Sequence, residues 1–129
     1  MLEIYKVITS KLKQIPKLAN QKQFININVN KASLPMAIVT IPNIIEPFQH
    51  RQDLTLEINC WSSSSSDKII ELEGIVSAID QKLNRYKELN NNLQISIYRD
   101  SVWRNNIPEP DESLFRVKLN YVLQVYYIN

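Results

Sequence analysis

The sequence predicts an α+β fold: a single antiparallel or mixed sheet of about five strands, with an N-terminal helix and one long amphipathic helix packed on one face. Three observations predict it. Leu114–Ile128 places Phe115, Val117, Leu119, Tyr121, Leu123, Val125 and Tyr127 on one parity against Arg116, Lys118, Asn120 and Gln124, the period-2 alternation of a half-buried strand. Ile69, Leu72, Val76, Ile79, Leu83 and Tyr86 recur at alternating steps of three and four, the stripe of a helix. Asparagine and proline stand between these segments in a chain with 1 glycine, so they make the turns.

In chain order the first element is a helix over residues 2–15, striped by Tyr5, Ile8, Leu12 and Ile15 and stopped by Pro16, because a residue before proline is pushed out of the α region. Residues 23–30, QFININVN, read as a strand with a wet face at Asn26, Asn28 and Asn30. MAIVTIP follows as a more evenly apolar strand ended by Pro42. Asn43–Gln52 is expected as a long loop holding Ile44, Ile45, Pro47, Phe48, His50 and Arg51, and loops of that length are often functional. Asp53–Trp61 is the third strand, with Leu54, Leu56, Ile58 and Cys60 inward and Trp61 on the outward parity.

The five serines at 62–66 lead into the long helix, expected over 67–86 and capped by Ser66 or Asp67. Gly74 lies off its stripe and weakens the helix by roughly 1 kcal/mol against alanine, unless another backbone packs close to it. Asn90–Asn92 makes the next turn, Leu93–Trp103 a strand, and Arg104–Ser113 a second long loop fixed open by Pro108 and Pro110. All six prolines then fall at or beyond element boundaries, and the order is α-β-β-β-α-β-β in one domain over 1–129. Fifteen extended residues in the last strand would span about 50 Å, against a diameter of roughly 35 Å for a compact domain of this size. That strand is therefore expected to bend, bulge or project, and its apolar end at Tyr126, Tyr127 and Ile128 to be covered by the first helix or by a neighbouring subunit.

Composition narrows the function classes. A hydrophobic share of 44% and a charged share of 22% are globular values, and a net charge of +2 spread along the chain is too little for a nucleic-acid footprint. One cysteine permits neither an internal disulfide nor a thiolate metal cage, and points to a reducing cytoplasm. No signal peptide and no apolar run of about 20 residues is visible, so no membrane is expected. One glycine excludes dinucleotide and phosphate loops.

Enzyme chemistry is not expected. His50 is the sole histidine, and Glu46 and Asp53 beside it are no metal signature. Cys60 on an inward parity reads as a structural thiol. Glu109, Asp111 and Glu112 read as a solvated acidic loop, and serines beside Asp67 without a base make no triad. No catalytic, cofactor or metal residue is assigned, and no cofactor. Aromatics interleaved with arginine, as at Trp61, Arg99, Trp103, Arg104, Tyr126 and Tyr127, have the composition of protein–protein hot spots. With Ile44, Ile45, Phe48, His50 and Arg51 they are the interface candidates. The alternative is a small single-stranded nucleic-acid-binding module stacking bases on Trp61, Tyr98 and Trp103.

From Leu34 to Ile128 the chain resembles the tail completion, or tail terminator, proteins of long-tailed bacteriophages and phage-derived particles. LPMAIVTIP, then DLTLEINCWSSSSSDKIIELEGIVSAIDQKL, then a proline-rich break and LFRVKLNYVLQVYY carry the resemblance, most of all the strand, tryptophan, serine turn and helix of Ile58–Leu83. The resemblance implies an α+β fold, no enzyme activity and no cofactor. It implies a homo-oligomeric ring, commonly a hexamer, that caps the tail tube protein and meets a head–tail connector or neck protein. The location implied is the virion tail or neck after assembly in the bacterial host cytoplasm, with DNA met only as it passes through the ring lumen. On this expectation Asn43–Gln52 docks on the tube and Arg104–Ser113 packs on the next subunit.

Overall fold

A computed structural model of the protein describes residues 2–25 and 27–128. Helix α1 runs Leu2–Lys13, β1 Met36–Phe48, β2 Arg51–Ser63, α2 Ser66–Leu83, β3 Lys87–Leu89, β4 Leu93–Ile107 and β5 Leu114–Tyr127. The strands form one antiparallel sheet in the order β1-β2-β5-β4-β3. The α+β class and the strand number follow the sequence pattern, although one member differs.

The differing member is the stretch 23–30. None of its described residues is in a strand, and Asn26 lies outside the described residues. Its alternation is real, but Phe24 turns into the core and only its carbonyl joins the sheet margin, accepting from the Val39 N–H at 2.7 Å. The fifth strand is instead β3, giving the order α-β-β-α-β-β-β. It forms where Arg85 leaves α2 at φ 66° and donates its N–H to the Ile97 carbonyl at 2.8 Å.

Both long loops are shorter than their composition suggests. Asn43–Phe48 continues β1 and Arg51 begins β2, so only Gln49 and His50 turn the hairpin, His50 at φ 74°. Arg104–Ile107 belongs to β4, leaving 108–113 as the loop. Pro42 and Pro47 therefore stand inside a strand, contrary to the expectation that every proline marks a boundary. They fit because β1 is an edge strand, where an N–H on the free side needs no partner, and because its register shifts between Thr40 and Asn43 and between Ile45 and Phe48.

Strand β5 is central and pairs with β2 in unbroken register from Leu114 to Tyr126. It contains no bulge. The irregularity lies on β4, where Asp100–Trp103 face Asn120 alone between the pairs Arg99↔Tyr121 and Arg104↔Leu119. The length of β5 is matched by neighbours of 13 and 15 residues, so the sheet as a whole is long and no single strand projects from it.

One parity of each long strand faces the helices: Ala37 and Val39, Leu54 to Cys60, Leu93 to Ile97, and Val117 to Val125 join Ile4, Ile8 and Leu12 of α1 and Leu72, Ile75, Val76, Ile79 and Leu83 of α2 in one buried cluster. Phe115 is only half-buried beside it. Tyr5 yields its place on the α1 stripe to Ile4, and α2 stops at Asn84 before reaching Tyr86. The cap of α2 is Ser65, one residue earlier than expected and without a side-chain hydrogen bond to the backbone, while Asp67 sits in the first turn, where a carboxylate favours the helix dipole. Among the described residues no helix is long and apolar enough to cross a membrane.

Candidate assembly surface

The strand directions bring four features to one end of the sheet: the β1–β2 hairpin, the end of β5, the β3–β4 turn, and the start of α1, which Asn92 Nδ2 ties by donating to Glu3 Oε1 at 3.3 Å. Six large apolar side chains are exposed at this end: Leu2, Ile44, Ile45, Leu89, Tyr126 and Ile128. Ile45 is 63% exposed and Leu89 72%. The reason is local. Ile44 follows the helix-facing parity of Leu54, its partner in register, yet stays 46% exposed. Small groups of apolar residues converging on one end mark an interaction surface better than the same residues scattered singly.

Polar contacts hold this end in shape. Tyr127 Oη donates to Gln52 Oε1 at 2.9 Å, and Gln52 Nε2 donates to Glu46 Oε1 at 2.7 Å, crossing β5, β2 and β1. The Tyr127 N–H donates to the His50 carbonyl at 3.1 Å and the Ile128 N–H to the Asn92 carbonyl at 2.8 Å. Arg51 Nε and Nη2 grip both oxygens of Asp53 at 2.8 and 2.9 Å, with the guanidinium 5.8 Å from the Tyr126 ring centroid. Burial, then the charges of Glu3 and Glu46, push the Tyr127 phenol pKa upward, so it stays a donor at neutral pH. The end is therefore a shaped surface of apolar side chains on a hydrogen-bonded frame.

The structure divides the expected interface residues. Ile44, Ile45, His50, Arg51, Tyr126 and Tyr127 come together at the apolar end; the side chain of Phe48 lies outside what is described. The others lie elsewhere and are held by contacts within the chain. Arg104 pairs with Glu73, Arg99 pairs with Asp80, and Arg99 also covers the Trp103 ring at 3.8 Å from its centroid. Tyr121 Oη, buried in the core, donates to Asp80 at 2.9 Å. These groups clamp the β4 bulge to α2. Trp61 lies on the open face, half-buried, 5.0 Å from the Arg116 guanidinium.

Leu2 and Leu89 were not visible as site residues in the sequence, because only the topology brings the start of α1 and the β3–β4 turn to the end of β5, where Ile128 was expected. Three further exposed apolar residues stand away from this end: Ile70 on α2, 72% exposed, Val102 on the β4 bulge, 60% exposed, and Tyr98 on β4. Ile70 had a signal, since it falls off the α2 stripe.

Other chemistry finds little to work with. Burial pushes the Cys60 thiol up to about 12, so it is protonated and sealed at neutral pH. His50 sits exposed on the hairpin. Among the described residues no group of three or more His, Cys, Asp or Glu could hold a metal ion. Three cations on the open face are matched by acids: Lys118 with Glu57 at 3.0 Å, Arg116 with Glu109 at 3.4 Å, and Arg51 with Asp53. A scan against models of known protein families finds no match to the chain, and a search of curated proteins finds no significant relative.

Proposed function

We propose that the chain is a structural assembly protein of a phage or phage-like particle, a subunit of a ring that ends the tail tube and joins it to the head or neck. The observation that carries assembly is the apolar end of the sheet, where Tyr127 packs against the core while Tyr126 stays 41% and Ile128 43% exposed. Ile70 on α2 and Val102 on the β4 bulge are exposed apolar residues away from that end. Two different surfaces on one subunit suit heterologous contacts, which close into rings when the rotation permits. The phage assignment itself rests on the resemblance of Leu34–Ile128 to tail terminators, which the long sheet with helices on one face agrees with. On this reading the apolar end docks on the tube and the β4 side meets the next subunit.

The nucleic-acid reading has less support. Trp103 lies under Arg99, Trp61 lies beside Arg116, and three open-face cations are neutralised in pairs, which lowers the phosphate-binding charge such a module needs.

Light scattering coupled to size exclusion tests the proposal. The wild-type chain, alone or with its tube protein, should run as an oligomer. The exposed substitutions Ile44→Asp and Ile45→Asp should abolish its binding to the tube protein while leaving its oligomeric state and melting midpoint nearly unchanged. A strict monomer at high concentration with tube protein present overturns the reading.

A further inference from the structure

The stretch Ile27–Asn30 has the alternation of a strand and, among the described residues, pairs with no strand. It is anchored on both sides. Phe24 is buried and bonded to Val39, and Gln21 reads the Ala37 backbone, accepting from its N–H at 3.0 Å and donating to its carbonyl at 2.6 Å. After it, Asn30 Oδ1 accepts from the Ala32 N–H at 3.0 Å. Between these anchors Ile27 and Val29 are only half-buried and stand outside the core, and Ile27 and Asn28 border an open cleft of about 630 Å³. Displacing this segment sacrifices little packing.

Apart from the outer edge of β3, only three residues long, the described residues of the sheet offer one matching vacancy. The first half of β1 is covered by Gln21 and Phe24, and its second half is broken by Pro42, Pro47 and two register shifts, devices that discourage pairing at an edge. On the other side β3 covers Gln94–Ser96, and Tyr86 and Arg85 satisfy both backbone groups of Ile97. Past the bulge, Arg104–Ile107 pairs with β5 on one side and, among the described residues, with no strand on the other. This stretch is four residues long and free of proline, and the antiparallel ladder turns every second N–H and C=O of it outward.

We propose that Ile27–Asn30 of one copy adds as a further strand to Arg104–Ile107 of a second copy. The inference rests on the self-assembly reading above and names the contact between subunits. Addition within one chain is out of reach: Phe24 lies outside β1, four strand spacings or about 19 Å from β4, and three residues extend at most about 10 Å. Donor and acceptor sit on opposite sides of the sheet, the head-to-tail arrangement of a heterologous contact. With Ile27 and Val29 on the open face they lie beside Ile107, and Asn28 and Asn30 fall on the helix side with Asn106.

Two measurements decide it. Chains carrying Val29→Cys and chains carrying Asn105→Cys are mixed and mildly oxidised. A disulfide-linked dimer of one of each is expected on a non-reducing gel, and neither variant alone should form it, since Cys60 is buried. Asn28→Pro should weaken association at least tenfold by light scattering, with the monomer's melting midpoint kept. A wild-type oligomer that gives no mixed disulfide and tolerates Asn28→Pro overturns the strand addition and leaves self-assembly standing. A monomeric wild type overturns both.

Discussion

A Cβ built on Gly74 would meet no atom within 4 Å, so no neighbouring backbone requires a glycine there. The helix loses what glycine always loses, backbone freedom in the unfolded chain that must be given up on folding. Gly74→Ala should therefore raise stability by up to about 1 kcal/mol, seen as a higher urea midpoint at unchanged slope; an unchanged or lower midpoint would contradict it. At the same scale the turn residues show what a sequence hides. Asn90 turns the chain as its type suggests, its Oδ1 accepting from the N–H groups of Asn92 and Leu93 at 2.8 and 3.0 Å. Among the described residues the left-handed positions, however, are His50 and Arg85. The hairpin between β1 and β2 places His50 there, and the step from α2 to β3 places Arg85.

The helix and strand patterns were readable wherever one face meets the core, as at Val117–Val125 and Leu72–Leu83. They misled where the environment was not core. Residues 27–30 alternate like a strand because alternation records one wet and one dry side, whatever provides the dry side. Asn43–Phe48 looked like a loop because proline is rare in strands, and edge position is a property of the sheet. The α2–β4 clamp was equally hidden, since Glu73 and Arg104 are 31 residues apart. Arg104 holds the Glu73 carboxyl below its ordinary value of 4.5 through a hydrogen bond. A lowered folded-state value means that the stabilisation is present above pH 4.5 and is lost as pH falls through the lower folded value. Glu73→Gln should thus lower stability at pH 7 by less than about 1 kcal/mol, the pair being partly exposed. The gap from wild type should close in urea titrations carried below pH 4.5. A gap that stays constant to pH 3 would rule the clamp out as the cause.

Across the whole molecule the buried side chains form one cluster joining both helices to four strands, which favours a single cooperative transition. Trp61 reports on the open face and Trp103 on the helix side of the same sheet. In dilute solution, loss of far-ultraviolet circular dichroism and change of tryptophan fluorescence should coincide along a urea titration; two separated midpoints would show that the faces unfold independently. The apolar end was half visible in advance. Tyr126, Tyr127 and Ile128 could be seen to lack a wet face, but Leu2 and Leu89 join them only once topology has stacked the two ends of the chain against one turn.

The placement of β5 also has a mechanical meaning. It lies between two antiparallel neighbours, in register with β2 from Leu114 to Tyr126 and with β4 on either side of the bulge. A force along its axis loads these rungs together in shear, whereas a force that peels an edge strand breaks them one after another. The last strand of the chain is thus a tensile member, suited to transmit load from whatever grips its apolar tip into the body of the sheet.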